Sequence, residues 1–301
     1  CSAPGRRTRL LVELVQRREV ELHCGRRLQP HPALFSVCSA FQALQAVAQR
    51  VATLAHRGTG SCRAPAQWVD NTTTGIFQIR AEYSLSDRDS QTLVSQINQL
   101  QDDVQSMLNL ESQSQSVEIS LFRGKSSYQA YLSRHVPEGV NRPALFVQGT
   151  DLGRVYVYRR WGFDTDLRHE CTHAVLHNAL PYVPMWLDEG LAEYFEVPAG
   201  KRSTGNPHLT SLRRSIFFGW RPNLSKLEAA EDLSDMGADE YREAWAWAHY
   251  MLHGPPEVRQ VLADYLYDIQ SGETAGPLKD RLTRALPHVD VRLVEHLRTW
   301  K

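Results

Sequence analysis

The chain has 301 residues, 42% of them hydrophobic, which is enough for one large core or two modest ones. Its 34 Lys and Arg balance its 34 Asp and Glu, so overall charge favours neither nucleic acid nor an anionic membrane as a general partner. There is no repeat of fixed period and no Gly-rich phosphate loop.

Residues 1–66 differ from the rest and read as a leader and linker. The chain begins with Cys1 rather than Met, which we read as the start of a fragment. Arg6, Arg7, Arg9, Arg17, Arg18, Arg26 and Arg27 make this start basic, and Leu34 to Ala48 is mostly apolar and ends in Ala46-Val47-Ala48. Basic stretch, apolar stretch and small-x-small is the layout of a secretory signal, which would mean export from a bacterial cell. Gln42 and Gln45 weaken it, and an amphipathic helix is the alternative. Gln49 and Arg50 argue against a stable membrane span. Cys1, Cys24, Cys38 and Cys62 fall here and only Cys171 lies beyond, a spacing that fits neither a disulfide framework nor a zinc knuckle. Gly58 to Pro65 reads as linker.

The folded part is expected from about Trp68. Gly75 to Ser84 alternates apolar and polar residues and predicts a half-buried strand. Asp87 to Leu110 carries apolar residues at helical spacing, from Leu93 and Val94 to Met107 and Leu108, and predicts a helix with one face on a sheet. Val117 to Phe122 predicts a strand and Ser126 to His135 a short helix. Leu145 to Gln148 and Arg154 to Arg159 predict two strands joined near Thr150-Asp151-Leu152-Gly153. The mixture predicts an α+β lobe over residues 67–197. Beyond 197 the pattern is helical: candidates lie at Leu209 to Trp220, Leu224 to Leu233, Asp239 to His253, Pro255 to Ile269, Pro277 to Ala285 and Val289 to Trp300. Residues 198–301 are therefore expected to form a helical lobe.

Between the two parts lies His169-Glu170-Cys171-Thr172-His173, of the form H-E-x-x-H. On a helix two histidines four residues apart share a face, so both imidazoles can reach one metal ion. Glu170 is turned about 100° from His169, which suits a general base acting on water better than a ligand. Cys171 is turned about 200° away and reads as a core thiol. His177 extends the stripe by a turn and reads as a surface or supporting residue. Pro181 and Pro184 end this helix, and a second begins near Pro184 with Met185-Trp186-Leu187-Asp188-Glu189-Gly190-Leu191-Ala192-Glu193-Tyr194-Phe195-Glu196. The short link makes the helices antiparallel neighbours. Glu189 is the natural third ligand of a catalytic Zn2+ site with an open fourth position. Glu193, one turn on, is expected to hold a ligand histidine by its other ring nitrogen.

H-E-C-T-H-A-V-L-H, a Pro-containing link and W-L-D-E-G-L-A-E-Y-F together resemble the gluzincin metallopeptidases, and more narrowly the bacterial peptidase-MA-like group. The specific match runs from Leu167 to Glu196. The metzincin pattern is excluded, because Leu176 and Ala179 stand where it needs Gly and His. The resemblance implies zinc on His169, His173 and Glu189, support from Glu193, Glu170 as base, and a peptide or protein as substrate. Only fifteen residues separate His173 from Glu189, fewer than in the aminopeptidase and thermolysin branches, so their substrate preferences do not carry over. Gluzincins lay substrate along an edge strand beside the metal helix, which makes Val155, Tyr156 and Val157 candidate substrate contacts; their pattern fits an interior strand equally well. The resemblance also places a Tyr or His of the helical lobe at the oxyanion: Tyr241 first, His249 second. The alternative is a non-catalytic peptide- or protein-binding module that keeps the fold.

Overall fold

The computed structural model describes residues 67–111 and 115–301. The leader-like segment, the linker and the four N-terminal cysteines lie outside the described residues. The described part is α+β, with all strands before Gly162 and only helices and turns after it.

Strand β1 (Asp70–Thr74) turns back into β2 (Phe77–Ala81) through Gly75-Ile76, and Thr74 pairs with Phe77. Gly75 sits at φ +53°, a left-handed conformation that glycine adopts at little cost. Helix α1 (Asp87–Leu108) starts where the Ser86 hydroxyl accepts from the Asp89 N–H, satisfying one of the unpaired donors of a helix start. It buries Leu93, Ile97, Leu100, Val104 and Leu108, the single stripe that its spacing predicts. Then follow β3 (Val117–Phe122), α2 (Lys125–His135), β4 (Ala144–Gln148) and β5 (Gly153–Tyr158). The sheet order is β1-β2-β3-β5-β4. β2, β3 and β5 run parallel, and the two outer pairs are antiparallel. The hairpin expected before the metal helix is thus β4–β5, whereas the β1–β2 hairpin was not anticipated.

This order corrects one expectation. β5 pairs with β3 on one side and β4 on the other, so it has no free edge. Val155 and Val157 face the main core and Tyr156 faces a second cluster with Phe122, Tyr128 and Leu132 under α2; all three side chains are buried. Val155, Tyr156 and Val157 therefore cannot add a peptide strand. The edge beside the metal helix is β4.

Helix α3 (Phe163–Ala179) packs on β4, β5 and α1, and Leu180 ends it in extended backbone. After Pro181 and Pro184 comes α4 (Met185–Phe195). Six helices follow: α5 (Pro207–Phe217), α6 (Leu224–Glu228), α7 (Ala238–His253), α8 (Pro256–Gln270), α9 (Leu278–Ala285) and α10 (Val289–Thr299). α4 lies directly on α7. A Cβ on Gly190 would fall 2.5 Å from the carbonyl oxygen of Ala244, so only glycine permits this approach. One hydrophobic core runs from Phe77 on the sheet to Leu297 on α10. Among the described residues no helix is long and apolar enough to cross a membrane.

Candidate metal centre

His169 and His173 lie one turn apart on α3 and turn their Nε2 atoms towards one carboxylate. Glu189 Oε2 is 3.4 Å from His169 Nε2 and 3.7 Å from His173 Nε2. The three ligand atoms lie within 4.8 Å of one another. A tetrahedral ion with ligands at about 2.0–2.1 Å needs them about 3.3–3.4 Å apart, so both Glu189 spacings are near what one zinc requires. Two imidazoles and a carboxylate are also a known catalytic zinc set.

The far ring nitrogens are anchored. His169 Nδ1 meets Glu196 Oε2 at 3.0 Å. His173 Nδ1 lies 2.9 Å from Asp188 Oδ1, an ion-pair contact without the alignment of a hydrogen bond. The other oxygen of Asp188 meets His177 Nε2 at 2.9 Å. A carboxylate behind each imidazole orients the ring and leaves Nε2 for the metal. A second set, His169, Glu193 and Glu196, also clusters within 4.8 Å, but Glu196 approaches the Nδ1 side of His169. We assign that side to support, because only the Nε2 side also faces His173.

Glu193 does not have the expected role. Its carboxylate hydrogen-bonds His208 Nε2 at 2.8 Å, and Glu196 takes the place behind His169. Asp188, Glu196 and His208 were missed in the sequence. The signal was the antiparallel link itself. In such a pair the start of α4 meets the end of α3, so Asp188 meets His173 and His177, and residues past its end meet His169.

The site is rich in carboxylates. Burial is the largest single influence on His169 and opposes its charge. Glu189, Glu196 and Glu170 together outweigh burial and hold its pKa well above the ordinary imidazole value. His173 is likewise opposed by burial, yet Asp188 and Glu189 push it up to about 9. Burial works against the charge on Asp188, but His173 and His177 hold its carboxyl well below the usual range. These groups form a preassembled place for positive charge. Glu170 stands apart from the metal-directed trio; burial raises its pKa, as suits a group that must accept a proton.

Tyr241, near the start of α7, is half-buried against the core. Its pKa is pushed up to about 12 by burial first and then by Glu189, while Glu193 and Glu170 also contribute. Its hydroxyl is thus close enough to feel three carboxylates of the centre. His249 lies elsewhere, and this corrects the second choice for oxyanion donor. It is fully buried, with Nε2 2.9 Å from the Ser203 carbonyl and Nδ1 3.0 Å from His296 Nε2. Burial pushes its pKa down to about 3. A folded-state value below the ordinary 6.5 means that the unfolded chain binds the proton more readily. Stability is expected to drop by several kcal/mol as pH falls from about 6.5 towards 4. Denaturant titrations at the two pH values check this, and His249→Phe should flatten the dependence.

No protein-family model matches this chain, and no curated protein is found similar to it.

Proposed function

We propose that the chain is a zinc-dependent peptidase of the gluzincin type, close to the peptidase-MA-like group. One observation carries this reading: His169, His173 and Glu189 converge on a single point, and Glu170 follows the first histidine on the same helix. His169, His173 and Glu189 would hold the ion, with Glu196 and Asp188 fixing the two rings. Zinc bound there would polarise the scissile carbonyl and make a nearby water more acidic. Glu170 accepts the proton of the attacking water and later delivers it to the leaving amine. Its raised pKa suits both halves of that exchange. Tyr241 donates its hydroxyl hydrogen to the oxygen on which negative charge develops. An extended peptide would pair with the free edge of β4, which packs on α3. Phe146 of that strand stacks on the His173 ring, with centroids 6.4 Å apart and planes 17° apart. Its backbone N–H is among the groups that stabilise the Glu170 carboxylate. The edge of β4 thus runs past the base.

The reading is tested by peptide hydrolysis that a chelator abolishes and added zinc restores. A zinc-loaded chain that cleaves no member of a broad peptide library would contradict it and leave a binding module. Within it, Tyr241→Phe removes only a hydroxyl. Turnover should fall by at least about tenfold, towards the roughly 10²–10³ seen for other oxyanion donors. Zinc content and Tm should hold; unchanged turnover would clear Tyr241 of the role.

A further inference from the structure

β4 and β5 are paired to the end at which Ala144 faces Val157, and beside this end lies a cavity of about 180 Å³. Its walls include Lys125, Tyr128, Gln129, Asn141, Arg142 and Tyr158. None of the three metal-directed residues lines it. Tyr128 is completely buried, and its hydroxyl has no hydrogen-bond partner among the described residues. A buried hydroxyl left without a partner is costly, so a donor kept this way points to something that it binds. Lys125 and Arg142, both exposed at the rim, form no salt bridge among the described residues. Two unpaired cations and an unused buried donor therefore surround one small polar cavity.

Its position ties it to the metal centre. Glu170 is the charged group that acts most strongly on Tyr128. Phe146, which stacks on the His173 ring, is three residues along the chain from Pro143 of the cavity wall. A peptide paired along β4 would run towards Pro143 and the cavity mouth.

We propose that this cavity receives a carboxylate carried by the substrate, either an acidic side chain or a free C-terminus. Arg142 and Lys125 supply the opposite charge, and the Tyr128 hydroxyl donates into the cavity. Two acidic groups also face Tyr128. Asp166 is paired with Arg160 at 2.6 Å, and the charge on Glu170 is offset by His169 and His173. The inference rests on the peptidase reading and adds the class of substrate.

Matched peptides test it: Glu against Gln at each position, and a free against an amidated C-terminus. The first series reads a side-chain carboxylate and the second a terminal one. In one of them the zinc-loaded wild type should show kcat/KM at least about tenfold higher for the acid than for its amide twin, as a charge-assisted hydrogen bond provides. Arg142→Gln should reduce that ratio below about threefold, and Tyr128→Phe should reduce it part of the way. Acids and amides cleaved alike by the wild type, or a preference that survives Arg142→Gln, would overturn the assignment while leaving the peptidase reading intact. Binding of the same labelled peptides to Glu170→Gln separates the two claims. If nothing is cleaved but acids bind Glu170→Gln more tightly than amides, and adding Arg142→Gln removes the difference, the cavity assignment stands and the peptidase reading falls. Equal binding of acids and amides would overturn the cavity assignment whatever is cleaved.

Discussion

Replacing Glu170 by glutamine should cost about 10²–10⁴ in kcat and leave the bound zinc in place, because a general base is lost and no ligand is. The geometry sets this expectation. Glu189 supplies the carboxylate oxygen that faces both Nε2 atoms, while Glu170 lies outside that trio. Glutamine keeps the size of the side chain and one acceptor oxygen, but it cannot take up a proton from water. Burial already raises the pKa of Glu170, so the group is poised to gain a proton and then give it up. KM for a given peptide should change little, since Glu170 acts on the reacting atoms. Measured zinc per chain and Tm separate this outcome from a folding defect. Loss of zinc in this variant would reverse the roles assigned to the two glutamates.

Glu189→Gln should do the opposite. It removes a charged ligand, and zinc affinity should fall by more than the roughly 10–100-fold that losing a residue behind a ligand costs. The side chain is buried with Oε2 facing both histidines, so the neutral amide is also left among His169 and His173 without a good role. Activity should be lost in proportion to zinc and return in part at high zinc concentration. A chelator competition on both variants measures the difference directly. Equal affinity in the wild type and Glu189→Gln would remove Glu189 from the ligand set.

Much of this arrangement was legible in the sequence, and the reasons differ by element. Apolar spacing gave α1 and α7 nearly to their ends, and Pro181 and Pro184 gave the end of α3 and the start of α4, whereas the start of α3 at Phe163 was not read. The spacing of His169, His173 and Glu189 was enough to anticipate that they meet. Strand order was not legible. Val155, Tyr156 and Val157 are apolar on both faces, which marks a covered strand without naming its neighbours, and the parallel pairing of β3 with β5 comes from contacts distant in sequence. His249 shows a different limit. Residues Ala244 to Met251 are all buried, so α7 has interior on every side and a helical wheel cannot tell the side facing the centre from the side facing α10. The supporting carboxylates failed for a third reason. A one-turn rule along α4 selected Glu193, whereas the antiparallel register with α3 selects Asp188 and Glu196.

The central claim is that His169, His173 and Glu189 form one zinc site, and metal content tests it most directly. The chain, stripped of metal, exposed to excess zinc and then desalted, should retain about one zinc per molecule. The His169→Ala, His173→Ala double variant should retain none under the same treatment. No retained zinc in the wild type, or the same content in the double variant, would contradict the account.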